Sequence, residues 1–182
     1  MGDKATRLDA NTLQFVRVMP GPIEKVWDYL TDAKKRGEWF AAGPLPAKIG
    51  ERFEMRFKHS DLSPNTAEPP PQMAEMDKNG HTSSNVLLAF EPPTRLAFTF
   101  GGEKNPANIS EVEFRLETVG DPKDNKVRLT LTHSKIPTDD YADGVSVGWH
   151  SHLDILQSRA EGTVPPAFWD VWRHARSLYD KP

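Results

Sequence analysis

The 182-residue sequence contains no cysteine, and this absence excludes several kinds of chemistry together. Without thiols the chain cannot form disulfide bonds, bind zinc through thiolates or use a cysteine nucleophile. It also lacks any apolar run near the roughly 20 residues that a membrane-spanning helix needs, so we expect no stable membrane insertion. No basic run stands out and the formal net charge is −3, which gives no reason to expect a nucleic-acid partner.

The first twelve residues, MGDKATRLDANT, are polar and lack the apolar segment of a secretory signal peptide. We therefore expect a cytoplasmic protein. The length fits one domain of ordinary size with an appendage. We assign residues 1–163 to that domain and residues 164–182 to a C-terminal helical extension.

The N-terminal part of the chain has the pattern of one strand followed by two short helices. Residues 12–19 are rich in β-formers and end at Pro20, as a first strand would. Apolar residues then recur at helical spacing over 23–30, and Thr31-Asp32 can cap a second short helix. These features predict a strand and a helical pair before the main sheet.

Further strands are predicted from alternation of apolar and polar residues over segments 48–58, 82–91, 94–100, 109–119 and 126–134. Residues 59–80 break all periodicity and include three consecutive prolines. We interpret them as a long, mobile, solvated loop, with a lid over a cavity as the alternative. A helix is expected from Asp139 or Asp140 to about Glu161, with Gly162 as its stop.

This order predicts an α+β fold in which a curved antiparallel sheet of about six strands wraps round a long C-terminal helix. The sheet must cover its apolar face, and the final helix is the element long enough to do so. A sheet of this size folded round a single helix tends to enclose space where a small molecule can lodge.

Three histidines are candidates for chemistry. His150 and Asp154 are four residues apart on one helix and could offer two metal ligands, but we favour a solvated pair that faces water. We therefore predict no metal site and no cofactor. His152 and His133 are expected on inward faces, where each is either a polar group in a cavity or a core histidine bonded to its neighbours.

Two neighbouring residues of the long helix are informative in another way. Gly148 lowers helix stability by about 1 kcal/mol relative to alanine, which is tolerable if the sheet or a ligand approaches closely there. Trp149 is most simply explained as a large side chain that anchors the helix in the core.

Four segments together resemble a known superfamily: 22–32 with Trp39-Phe40, 49–57, 85–100 and 147–162. In order and spacing they are similar to the START-like (SRPBCC) superfamily, within it to the bacterial branch related to the C-terminal domain of the activator of heat-shock-protein-90 ATPase. The resemblance implies a helix-grip fold with an internal cavity. The superfamily contains lipid carriers, aromatase/cyclases and co-chaperone domains, so the fold does not specify the chemistry.

The sequence departs from the superfamily pattern in two places. Residues 59–80 are longer than the hairpin usual there and could cover the mouth of the cavity. The chain also continues past Gly162 into an apolar helical stripe on residues 168–179. Such a stripe will not stay exposed, so it docks on its own domain or forms a homodimer or partner surface.

The leading hypothesis is a binding module for a small hydrophobic molecule. The alternative for its cavity-lining residues is that they fill a solid core. The residues predicted to line the cavity are Trp27, Trp39, Phe53, Met55, Phe57, Phe98, Phe114, Leu129, His133, Trp149, His152, Leu153 and Leu156.

Two other hypotheses come from different classes. One is a cyclase or hydrolase acting on a hydrophobic substrate, for which His133 and His152 would be acid/base candidates, although no catalytic residue is assigned. The other is a co-chaperone or stress-response domain with a chaperone partner, which rests on analogy with the superfamily.

Overall fold

A computed structural model describes residues 2–101 and 106–179 of the chain. Its centre is a curved antiparallel sheet of seven strands in the spatial order β1-β2-β7-β6-β5-β4-β3. The strands are β1 Thr6–Asp9, β2 Thr12–Pro20, β3 Arg52–Phe57, β4 His81–Glu91, β5 Arg95–Phe100, β6 Ser110–Val119 and β7 Lys126–Ser134. The helices are α1 Ile23–Thr31, α2 Ala33–Gly37, α3 Ala74–Asn79, α4 Asp139–Ala160 and α5 Phe168–Tyr179.

The predicted helix-grip fold is confirmed, with one strand more than expected. The additional strand is β1, an exposed edge strand of four residues that pairs with β2. Its residues TRLD carry no alternation that would distinguish them from a polar N-terminal segment. Strand β3 begins four residues later than predicted, whereas β4 to β7 follow the predicted segments to within a residue and pair as an antiparallel meander.

The two short helices follow β2 as predicted. Val26, Trp27 and Leu30 form the buried face of α1. The side chain of Asp32 then accepts hydrogen bonds from the backbone N–H groups of Lys34 and Lys35, so it is the N-cap of α2. This cap turns the chain towards Trp39 and Phe40, which are both buried against the sheet.

Helix α4 is gripped by the concave face of the sheet. Its N-cap is Thr138, one residue before the two aspartates favoured from sequence, and its hydroxyl accepts from the backbone N–H of Tyr141. Leu153, Ile155 and Leu156 of α4 are fully buried. Gly162 ends the helical region with a positive φ of 73°, as a C-terminal glycine does.

The prediction of a mobile, solvated loop at residues 59–80 is wrong. The segment contains two 3₁₀ turns, at His59–Leu62 and Pro71–Met73, followed by α3. Leu62 and Asp77 are buried, and the Asp77 carboxylate accepts hydrogen bonds from the backbone N–H and the hydroxyl of Ser60. The segment is ordered because it packs against another part of the chain that has no sequence proximity to it.

That other part is the C-terminal extension, which docks on its own domain. Helix α5 lies against α4, with Phe168, Trp169 and Ala175 buried. The Trp169 indole N–H donates to the Ser60 hydroxyl, and the Ser63 hydroxyl donates to the Pro165 carbonyl at 2.7 Å. The two departures from the superfamily pattern therefore pack on each other, and we call residues 59–80 and 164–179 together the cap.

The expectation that His150 and Asp154 face water is wrong. His150 is completely buried, and the side chain of Asp154 is 13% exposed. Helix α5 covers this face of α4, where the Tyr179 hydroxyl lies 3.4 Å from Nδ1 of His150. Arg17, from β2, also reaches the cluster and lies 3.7 Å from the Asp154 carboxylate. The sequence left the position of α5 open, so it could not show that this face was covered.

Candidate ligand cavity

A cavity of about 470 Å³ lies between the concave face of the sheet, helix α4 and the cap, and it is partly open to the surface. This volume is within the range of small-molecule sites in proteins. Its lining is mostly apolar and consists of Phe40, Phe57, His59, Met76, His81, Ser83, Phe100, Gly101, Asn108, Tyr141, Gly144, Val145, Gly148, Trp149 and His152.

One wall of the cavity is the backbone of α4 at Gly144 and Gly148. These residues are four apart and therefore lie on the same helix face. A Cβ atom built on either glycine meets no atom within 4 Å. Close approach of the sheet, one of the two reasons considered for Gly148, is thereby excluded; both glycines border the cavity, and Gly144 is exposed.

Aromatic rings form the facing walls. Phe40 stacks on Trp149 with ring centroids 4.8 Å apart, and Phe57 meets Phe40 edge-on at 5.0 Å. Phe100 lies 5.7 Å from Trp149. The rings are held by packing against one another, so the cavity presents fixed, flat apolar surfaces.

His152 contributes a polar group to this lining. Its Nδ1 lies 2.8 Å from the backbone carbonyl of Trp39. A carbonyl can only accept, so Nδ1 carries the proton and donates it. Burial, and secondarily the neighbouring His59, lowers the pKa of His152 to about 3, which keeps the ring neutral.

His59 lies beside His152, with ring centroids 5.3 Å apart. The Phe168 ring of α5 stacks on His59 at 4.5 Å and contacts His152 at 4.9 Å. Burial lowers the pKa of His59 to about 4 despite the opposing effect of Asp77. His59 of the cap and His152 of α4 thus place two neutral imidazoles at one end of the cavity.

His133 lies behind the cavity wall and has all its hydrogen bonds made inside the protein. Nδ1 accepts from the Trp149 indole N–H at 2.9 Å, so the ring proton is on Nε2, which donates to the Ser110 hydroxyl at 2.7 Å. That hydroxyl donates to the Phe100 carbonyl. Burial lowers the pKa of His133 to about 3. Its role here is to fix the Trp149 ring, which is the core-histidine alternative considered from sequence.

The cavity lining contains no lysine, arginine, aspartate or glutamate among the residues that the structure describes. Over the same part of the chain, no group of three or more histidine or acidic side chains is arranged to hold a metal ion. Nor does any described helix have the length and apolar character needed to cross a membrane. The arrangement favours uncharged ligands.

Comparison with known proteins places the chain in a family. Residues 20–161 match the family model described as activator of Hsp90 ATPase homolog 1-like protein. The chain belongs to this family. The match ends one residue after α4, so α5 lies beyond the part of the chain that the family model matches.

The chain is also similar to several solved structures. The chain is 39% identical to a protein from Bordetella parapertussis solved by NMR, covering 98% of this chain and 89% of that one with a TM-score of 0.79. CalU16 from Micromonospora echinospora is 23% identical over 92% of this chain and 85% of its own, with a TM-score of 0.63. DynU16, from the dynemicin biosynthetic locus, is 18% identical over 86% of this chain and 49% of its own, also at 0.63.

The last two likenesses show the shared fold alone. No curated protein matches the chain. For this member of the Hsp90-ATPase-activator-like family, the geometry of its own cavity therefore has to indicate what it binds.

Three of the thirteen residues predicted to line the cavity do so: Phe57, Trp149 and His152. Phe53 instead lines a separate depression of about 400 Å³ beside Pro44, Leu45 and Pro46. The other nine lie in the packed interior away from the cavity wall: Trp27, Trp39, Met55, Phe98, Phe114, Leu129, His133, Leu153 and Leu156. They were predicted from inward parity, which marks burial but cannot separate a solid core from a cavity wall.

Sequence reasoning missed several lining residues, and one signal could have found part of them. Gly144 and Gly148 stand four apart in a segment otherwise suited to a helix, and this spacing indicates a face where side chains are absent. His59 and Met76 could not be found this way, because they belong to the segment interpreted as a solvated loop.

Proposed function

We propose that this protein binds a small hydrophobic molecule in the cavity between α4, the sheet and the cap. Membership of the family supports a ligand-binding or cyclase-like role, and the cavity supports the binding role more specifically. The observation that carries the proposal is the pair Gly144 and Gly148, whose missing side chains leave open space beside aromatic walls.

The two glycines make α4 less stable than alanine would. Each lowers helix stability by roughly 1 kcal/mol relative to alanine. Nothing in the fold requires them there, because φ is ordinary at both positions and no atom lies within 4 Å of the missing Cβ. Packing does not explain the two glycines, whereas a ligand that occupies the space beside them does.

An enzymatic function is the less supported alternative. General acid or base catalysis is most effective when the pKa of the group lies near the working pH. Burial holds the pKa of His152 at about 3 and that of His59 at about 4, far below neutrality. Both groups are therefore better suited to hydrogen bonding than to proton transfer at neutral pH. No contact in the structure bears on a chaperone partner.

Filling the cavity tests the proposal. We expect N-phenyl-1-naphthylamine, an uncharged dye that fluoresces in apolar sites, to bind the wild type, and Gly148→Leu to reduce its affinity at least tenfold. Gln157→Leu adds the same side chain to α4 away from the cavity and should leave binding unchanged. Equal affinity for wild type and Gly148→Leu, with the variant folded, would reject the cavity as the binding site.

A further inference from the structure

We propose that the ligand is an uncharged aromatic molecule with a hydrogen-bond donor such as a phenolic hydroxyl, and that this donor binds Nε2 of His152. The inference deepens the proposed function and rests on it. It specifies the chemical class of the ligand, the residue that orients it and the direction of the hydrogen bond.

The direction follows from the partner of the other ring nitrogen. Nδ1 of His152 donates its proton to the Trp39 carbonyl at 2.8 Å. A neutral imidazole carries a single N–H, so Nε2 has a lone pair and no proton. It can accept a hydrogen bond from a ligand and cannot donate one.

Nε2 is also accessible from the cavity. Nε2 of His152 has no hydrogen-bond partner among the described residues. The fully buried polar side-chain atoms that lack a partner belong to Arg17 and His150, and Nε2 of His152 is not among them. The His152 residue as a whole is only 5% exposed and lines the cavity. Because His152 lines the cavity, we infer that Nε2 faces it, and an apolar ligand without a donor would then leave the lone pair unsatisfied.

The side chains that line the cavity favour an aromatic ligand. The edges and faces of Phe40, Phe57, Phe100 and Trp149 bound the space on one side. The bare backbone at Gly148 bounds another part of it and allows a flat ring to lie against the helix. A planar ring system makes more contact with such surfaces than a flexible chain does, and it loses less conformational entropy on binding.

The uncharged lining, as far as the structure describes it, disfavours fatty acids and other ionised ligands. None of the described lining residues is a lysine, arginine, aspartate or glutamate. A carboxylate or ammonium placed there would lose its hydration without gaining an ionic partner.

Naphthalene and three of its derivatives test the preference for a donor and for an uncharged ligand, by displacement of N-phenyl-1-naphthylamine at pH 7. 2-Naphthol has a donor, 2-methoxynaphthalene keeps the oxygen but has no donor, naphthalene has neither, and 2-naphthoate is charged. We expect 2-naphthol to bind about three- to tenfold more tightly than naphthalene, because of its hydrogen bond. 2-Methoxynaphthalene should show no such gain, and 2-naphthoate should bind at least about tenfold more weakly than naphthalene.

Variants of the lining histidines test whether the tighter binding of 2-naphthol depends on His152. His152→Asn retains an amide that can donate to the Trp39 carbonyl but removes the Nε2 position. We expect it to lose the preference for 2-naphthol, measured as the ratio of the naphthalene and 2-naphthol affinities in the same variant. His59→Asn and His81→Asn change the other two imidazoles of the lining and should keep that preference.

The outcomes separate this inference from the proposed function. If naphthalene and 2-naphthol bind equally well, or if the preference depends on His59 or His81, the assignment to His152 is overturned while the binding function stands. If 2-naphthoate binds best, the uncharged class is wrong. If the dye and all four compounds fail to bind, the proposed function itself fails. The comparison among ligands uses wild-type protein, so it remains decisive even if His152→Asn does not fold.

Discussion

The indole N–H of Trp149 donates a hydrogen bond to Nδ1 of His133 at 2.9 Å. Trp149 forms part of the cavity wall, and His133 lies fully buried behind it. The bond fixes both the tautomer of the histidine and the position of the ring that a ligand would contact. The shape of the cavity therefore depends on a buried polar network as well as on apolar packing.

Removal of His133 tests this dependence. In His133→Leu the Trp149 N–H and the Ser110 hydroxyl both lose a buried partner, so we expect the free energy of unfolding in urea to fall by about 2–4 kcal/mol. In a Trp149→Phe background one of these groups is already absent. The same substitution should then be less destabilising by about 1 kcal/mol or more. Additive losses would contradict the coupling.

The buried histidines predict how stability depends on pH. Burial lowers the folded-state pKa of His133 and of His152 to about 3, whereas an unfolded histidine titrates near 6.5. Below about pH 6.5 the unfolded state binds protons that the folded state does not. The free energy of unfolding should therefore fall as pH decreases from 6.5 towards 4, by up to about 1.4 kcal/mol per pH unit for each histidine.

Urea denaturation between pH 4.5 and 7.5 checks this slope. His152→Asn should reduce it, because one of the buried histidines with a lowered pKa is removed. His174→Asn changes an exposed histidine on α5 and should leave it almost unchanged. A wild-type stability that stays constant from pH 7.5 to 4.5 would be inconsistent with neutral buried imidazoles.

Alanine at the cavity glycines should stabilise the protein. At Gly144 and Gly148 an added methyl group meets no atom within 4 Å, and alanine favours the helix by roughly 1 kcal/mol. We expect each single variant to raise the thermal midpoint and the double variant to show nearly additive gains. A destabilised Gly148→Ala would mean that the space in front of the helix is already filled by the protein.

We predict that removing Asp154 alone destabilises the fold more than removing both Asp154 and its ion-pair partner Arg17. The Arg17 side chain is 4% exposed, so Asp154→Asn leaves a buried charge with a weaker partner. We expect a loss of about 3–5 kcal/mol in the free energy of unfolding. Arg17→Met in the same chain removes that charge and should recover most of the loss. If the double variant is less stable than Asp154→Asn alone, this account of the cluster is incorrect.

The cap should be necessary for both stability and binding. Phe168 is 3% exposed and its ring contacts His59 and His152. Phe168→Ala should lower the free energy of unfolding by about 3–5 kcal/mol and weaken binding of N-phenyl-1-naphthylamine. Val164→Ala changes an exposed residue of the same segment, with an effect expected within about 0.5 kcal/mol. Unchanged binding in a folded Phe168→Ala variant would show that the cap does not support the site.

The fold was predictable from sequence because strong periodic patterns mark its main elements. Alternation identified the long strands, and the apolar stripe of α4 identified the helix that the sheet covers. Strand β1 escaped prediction because it is a short, exposed edge strand stabilised by pairing with β2. Sequence periodicity indicates that one face of an element is buried, and all four residues of β1 are exposed.

The site was less predictable because it depends on contacts between distant segments. His59 becomes part of the cavity through packing on Phe168, more than 100 residues later in the chain. His150 is buried for a similar reason, since the position of α5 was not encoded in the local pattern around it. The apolar stripe of α4 predicted that Trp149 and Leu153 both line the cavity, yet only Trp149 does.

The central claim is that a small apolar molecule occupies the cavity at Gly144, Gly148 and Trp149. The most direct measurement is a titration of isotope-labelled protein with 2-naphthol, followed by NMR with assigned backbone and indole N–H signals. We predict saturable shifts concentrated at these three residues and at His152, with little change in the core around Leu129. Shifts absent from these residues at saturating ligand, or located on the outer face of the sheet, would contradict it.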